Sequence, residues 1–105
     1  MNIRFEYLYR DAGNFKNWGE VILANRHGHD VNALEQRARQ VLIDQEYFDA
    51  DKAMVPNLNF KDHIEALDHG WHEFHAFTPT VAEPSDSEGR DVAEFIGHLE
   101  QASTI

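Results

Sequence analysis

The residues with the most chemical potential crowd into one stretch of the chain: Asp62, His63, Asp68, His69, His72, Glu73 and His75. There is no cysteine, so imidazole and carboxylate are the side chains that would bind a metal, and both suit zinc and other divalent ions. On a helix, His69 and Glu73 would share a face at four-residue spacing, as would Asp68 and His72; on a strand, Glu73 and His75 would share one. Asp68, His69, His72 and His75 are therefore a candidate metal site, with zinc as the ion to consider. The stretch does not complete a His-Glu-x-x-His motif, because in Trp71-His72-Glu73-Phe74-His75 the second histidine comes one residue early. His27-Gly28-His29-Asp30 is a smaller cluster, which a polar loop leading into a helix cap also explains.

Nucleophilic and phosphate chemistry have little to stand on. Ser85, Ser87 and Ser103 lie outside any Gly-x-Ser-x-Gly elbow, and the six glycines are scattered rather than gathered in a loop. Without a complete catalytic motif, a binding role is the leading expectation.

Charge says what kind of partner. The net charge is −10, and it is unevenly spread: residues 1–43 carry six basic and five acidic side chains, residues 44–105 three and fourteen. A phosphate backbone is repelled by such a surface, so direct nucleic-acid binding is disfavoured, whereas a basic protein surface is attracted. Asp44, Glu46, Asp49 and Asp51 form the densest acidic run. A second candidate contact is the polar segment containing Arg10, Phe15 and Lys16, beside Asp11, Asn14 and Trp18, since arginine and large aromatics anchor protein contacts. Burial is the commoner fate of tryptophan, which predicts that Phe15 and Trp18 fold back onto the core and that Arg10 pairs with Asp11.

The elements that must hold these residues read as follows. Ile3, Phe5, Tyr7 and Tyr9 alternate with polar residues and predict a strand over 2–9. Trp18–Ala24 is a second strand, joined by a long polar tip from Arg10 to Asn17. Val31, Leu34, Ala38, Val41 and Leu42 make the apolar stripe of a helix ending near Asp44 and capped by Asp30 or Asn32. Tyr47–Val55 reads as a third strand, placing Asp49 and Asp51 on one side and ended by Pro56. Residues 57–70 read as irregular, with Leu58 and Phe60 touching the core. Trp71–Phe77 alternates as a fourth strand. Residues 78–90 read as an acidic Pro/Ser linker. Val92, Phe95, Ile96 and Leu99 stripe a last helix capped by Asp91, and residues 101–105 are expected to fray. The order ββαββα predicts a single α+β domain over 1–105, with a mainly antiparallel three- to four-stranded sheet and two helices on one face.

Four blocks resemble an uncharacterised family of small acidic bacterial proteins: Phe5-Glu6-Tyr7-Leu8-Tyr9-Arg10-Asp11, Asn14-Phe15-Lys16-Asn17-Trp18-Gly19, Leu42-Ile43-Asp44-Gln45-Glu46-Tyr47-Phe48, and Asp68-His69-Gly70-Trp71-His72-Glu73-Phe74. The resemblance implies no activity. In the third block Gln45 stands where glycine is frequent in that family.

These readings combine into an expected function. The chain is a non-enzymatic acidic binding or regulatory protein for a basic protein surface, an inhibitor being one form of it, with a metal-binding protein or metal-dependent enzyme as the alternative. The N-terminus lacks the apolar run of a signal peptide and no segment is long enough to span a bilayer, so the expected setting is the cytoplasm, away from membranes.

Overall fold

The computed structural model describes residues 1–59 and 70–103. Among them run β1 (Asn2–Arg10), β2 (Lys16–Leu23), α1 (Val31–Val41), β3 (Tyr47–Phe48), α2 (Ala50–Ala53), β4 (His72–Thr80) and α3 (Val92–Ala102). The strands form one four-stranded sheet in the order β2-β1-β4-β3, antiparallel throughout. The fold is α+β as expected, with three helices rather than two.

Alternation in β1 decides where the core lies. Ile3, Phe5, Tyr7 and Tyr9 are buried on one face, and Phe5 sits at the centre of an aromatic cluster. Its ring stacks on Tyr7 at 4.9 Å and meets Phe95 at 4.7 Å, Phe74 at 5.5 Å and Phe48 at 5.8 Å. Leu34 and Ala38 from α1, Ala50 and Ala53 from α2, and Val92, Phe95 and Leu99 from α3 complete the same cluster, so all three helices lie against this face. The opposite face of the sheet carries Arg4, Glu6, Trp18 and Glu20.

A bulge breaks the alternation expected for the fourth strand. Glu6 pairs with Ala76 but Tyr7 pairs with Phe74, leaving His75 as an extra residue in β4. Phe74 and Phe77 therefore both reach the core although three positions separate them, and Glu73 falls on the other face from Phe77. The strand also continues to Thr80, so the segment read as a linker from residue 78 leaves the sheet only at Val81.

The third strand is the largest correction. Only Tyr47 and Phe48 pair as a strand. Asp49 then caps α2, its carboxylate accepting the N–H of Asp51 at 2.9 Å and of Lys52 at 3.2 Å. Ala50 and Ala53 are both buried, a spacing of three that a helix satisfies and a strand does not. Asp49 and Asp51 consequently do not share a strand face. Further along, Asp30 is the cap of α1, accepting from Ala33, and the helix ends at Val41 rather than near Asp44. The hairpin tip shortens to Asp11–Phe15. Ala102, expected to fray, is buried and accepts a hydrogen bond from Asp49 N–H at 2.9 Å.

The segment before α3 is fastened by a buried ion pair. Arg90 and Asp86 have side chains only 2% exposed and form a two-pronged contact, Nε to Oδ2 and Nη2 to Oδ1, both at 2.9 Å. The same guanidinium donates to the carbonyls of Ala53 and Met54 at the end of α2, approaches His98 Nδ1 at 3.0 Å, and lies over the Phe95 ring. His98 thus has a specific partner in Arg90.

Two stability outcomes follow. Arg90→Ala leaves a buried carboxylate and two helix-end carbonyls without their donor, and urea melts should show a loss of about 3–5 kcal/mol. Phe95→Ala opens a cavity against Phe5 and should also cost about 3–5 kcal/mol; a loss under about 1 kcal/mol would mean that α3 is not docked as described.

Candidate functional site

The first β-hairpin carries exposed aromatic side chains beside its charged ones. Its tip is held by Asp11, whose backbone N–H donates to Phe15 O at 3.0 Å and whose side chain accepts from Phe15 N–H at 2.8 Å. Asn14 turns through a left-handed φ of 65° and accepts from Arg10 Nη1 at 2.7 Å. The tightened tip pushes Phe15 out to 70% exposure, and Trp18 stands 53% exposed on the open sheet face. Both were expected to fold back onto the core. They do not, because Trp18 shares its strand face with Glu20, away from Val21 and Leu23.

Register places carboxylates around that indole. Leu8 pairs with Trp18 and Glu6 with Glu20, so Glu6, Trp18 and Glu20 lie side by side. Together with Gly19 they line a groove of about 460 Å³. Glu20 is bridged to Arg4 at 2.7 Å, whereas Glu6 forms no ion pair among the described residues. Trp18 meets the His75 ring edge-on at 5.0 Å. An indole flanked by carboxylates suits a cationic side chain, which gains both charge attraction and contact with the ring face.

A second arrangement lies on the same face, at the opposite sheet edge. Asp44 and Gln45 take consecutive left-handed conformations, φ 51° and 60°, and Glu46 N–H closes the turn onto Ile43 O at 2.9 Å. This is the tight turn that glycine would favour, made here without one. It delivers Glu46 to Glu73, with which its carboxyl shares a hydrogen bond. Glu73 is 7% exposed and gripped by Arg10, Nε to Oε2 at 2.9 Å and Nη2 to Oε1 at 3.3 Å. Burial, then the hydrogen bond and the charge of Glu73, push the Glu46 carboxyl above the usual range. The charge of Glu46, followed by burial, raises the neighbouring Tyr47 hydroxyl. Arg10 therefore pairs with Glu73 across the sheet rather than with Asp11.

The histidines separate. His72 is fully buried among Tyr7, Tyr9 and Phe48, and its Nε2 accepts the backbone N–H of Leu58 at 2.9 Å. His75 is exposed on the other face. Asp68 and His69, with Asp62 and His63, lie outside the described residues, and no group of three or more metal-ligating side chains occurs among the described ones. The acidic run disperses as well: Asp49 is a helix cap, Glu46 is tied to Glu73, Asp51 accepts from Asn57, and Asp44 is exposed. Lys16 is exposed beside Phe15.

Sequence reading missed the Glu46–Glu73 contact and the Glu6–Trp18–Glu20 groove. The alternation of β1 already put Glu6 opposite the core; a correct tip length would have brought Glu20 and Trp18 beside it.

The raised Glu46 carboxyl has a measurable sign. The native state keeps a proton that the unfolded chain releases, so stability should fall as pH rises through a window opening at the ordinary glutamate range. Asp86 slopes the other way. Burial draws its carboxyl up, but the hydrogen bonds and charge of Arg90 outweigh burial and hold it low, so its contribution is lost as pH falls through its native value. Glu46→Gln should remove the first slope alone and raise stability near neutrality. Parent and variant melts with parallel pH profiles would show that Glu46 releases its proton as an ordinary glutamate does.

Compared with family models, curated proteins and solved structures, the chain matches none of them, so its own geometry is the basis for assigning a role.

Proposed function

We propose that the protein is a non-enzymatic binding protein that docks on a basic protein surface through the open face of its first hairpin. The observation that carries the reading is the half-exposed Trp18 standing between Glu6 and Glu20 in a solvent-facing groove. Tryptophan is among the residues that most often anchor a protein contact, and the flanking carboxylates select a partner bearing lysine or arginine. Exposed Phe15 extends the contact along the tip. Asp44 and Asp51 lie outside the groove and contribute to long-range attraction rather than to close packing. A net charge of −10 opposes direct binding to nucleic acid, so a partner that itself binds nucleic acid through a basic groove fits this surface, and the protein would act on it as an inhibitor. The absence of cysteine suits a reducing, cytoplasmic setting.

The test begins with a partner recovered at moderate salt. Trp18→Ala should weaken its binding by about 2 kcal/mol or more, mainly through faster dissociation. Glu6→Gln with Glu20→Gln should slow association, and added salt should slow the parent in the same way. Asp44→Asn with Asp51→Asn should lower the association rate only. A partner that binds the Trp18 and Glu6/Glu20 variants as it binds the parent would remove this face from the interface.

A further inference from the structure

Strand β2 is an outer strand of the sheet, and among the described residues its outward edge is filled only at its C-terminal end. Ile22 O accepts the N–H groups of Ser85 and Asp86, at 2.9 and 3.3 Å, while Ile22 N–H donates to Ser85 Oγ at 2.8 Å. Ala24, just beyond the strand, accepts from Val92 N–H at 2.8 Å. The backbone groups of Ile22 therefore point away from β1. By the alternation of an antiparallel ladder, those of Glu20, Trp18 and Lys16 point the same way. Among the described residues no backbone group meets them. Among the described residues Lys16–Glu20 is thus an open edge, without the proline or bulge that usually blunts one.

We propose that this edge pairs with the same edge of a second copy, antiparallel about a two-fold axis through Trp18. That register is the one that matches the whole open segment to itself. It sets Trp18 opposite Trp18 of the other copy and Lys16 opposite its Glu20, twice over by symmetry. All three outward-pointing residues then exchange ladder hydrogen bonds. A register shifted toward Ile22 would run into the Ser85–Asp86 segment already seated there. The cross-strand partners have opposite charge, which favours the pairing, whereas like charges directly opposite oppose it. Lys16 is exposed with no ion pair among the described residues, and Glu20 keeps 58% of its side chain exposed while bridged to Arg4. Five residues of strand from each copy give a small interface, so the association is reversible and depends on concentration. The product is a continuous eight-stranded sheet whose two Trp18 grooves lie on one face. Self-pairing rests on the backbone edge and so stands independently of the basic-partner reading, even though Trp18 and Glu20 border both surfaces.

Sedimentation velocity over a range of protein concentrations tests this. The parent should shift reversibly from monomer to dimer. Lys16→Glu and Glu20→Lys each create two like-charge pairs and should weaken the dimer by about tenfold. An equimolar mixture of the two variants restores opposite charges at both positions and should associate about as well as the parent. Thermal melts of the separate variants establish that each is folded. Hydrogen exchange supplies a second readout: the amides of Lys16, Trp18 and Glu20 should gain protection as concentration rises, while those of Asn17 and Gly19, already in the ladder with β1, should not. A parent that stays monomeric overturns the proposal. So does a dimer indifferent to both charge reversals, a mixture no better than its components, or edge protection that appears only when a basic polypeptide such as polylysine is added.

Discussion

The guanidinium of Arg90 is the point on which the packing of this domain turns. The side chain that carries it is 2% exposed, and a charge so placed is tolerated only when its donors are met. Asp86 meets two of them, the carbonyls closing α2 meet others, and Phe95 offers its ring face. Each of these contacts belongs to a different part of the chain, so one side chain fixes the end of α2, the segment leaving the sheet and the start of α3 relative to one another. That segment is then stitched to β2 through Ser85 and Ile22, which determines how much of the β2 edge stays open. The aromatic cluster around Phe5 supplies apolar burial, but dispersion and hydrophobic contact are non-directional. The directional fastening comes from the buried ion pair.

The acidic character of the second half looks different once its residues have places. Asp49 and Asp91 are helix caps, Glu94 completes the capping box of α3, Asp86 neutralises Arg90, and Glu73 neutralises Arg10. Much of the charge that the sequence concentrates there serves local structure. The acids with freedom to meet a partner include Glu6 and Glu20, which belong to the half that is nearly neutral. Net charge of a segment is a sum over residues, whereas recognition depends on which of those residues the fold leaves facing outward.

Period-two patterns were readable where one face was uniformly apolar. Ile3, Phe5, Tyr7 and Tyr9 gave β1, and the stripes of α1 and α3 gave two helices with their caps. Tyr47–Val55 misled because two aromatic residues announce a strand that Asp49 stops after Phe48. A capping aspartate followed by Ala50-Asp51-Lys52-Ala53 was the competing local signal. The binding groove was invisible for a different reason: it is assembled by the register between β1 and β2, and register depends on the number of residues in the turn. The Glu46–Glu73 pair joins positions far apart in sequence, through a left-handed turn that Gln45 does not advertise.

The extra residue at His75 makes β4 two half-strands that are out of phase. From His72 to Phe74 the even positions face inward; from Ala76 to Thr80 the odd ones do. A rule for acceptable substitutions learned on one half is inverted on the other, so a polar residue harmless at the position of Glu73 becomes a buried polar group four places on, at Phe77. Pairing every residue of β4 in one regular register, without the bulge, would bring the halves into step, at the cost of turning one of them over. With the aromatic half fixed by Phe77 against Phe5, the other half would present the Glu73 carboxylate to the core and His72 to water. The bulge is thus what lets one strand carry an acid on its outer face and an imidazole on its inner face at neighbouring positions, while still contributing two phenyl rings to the same interior.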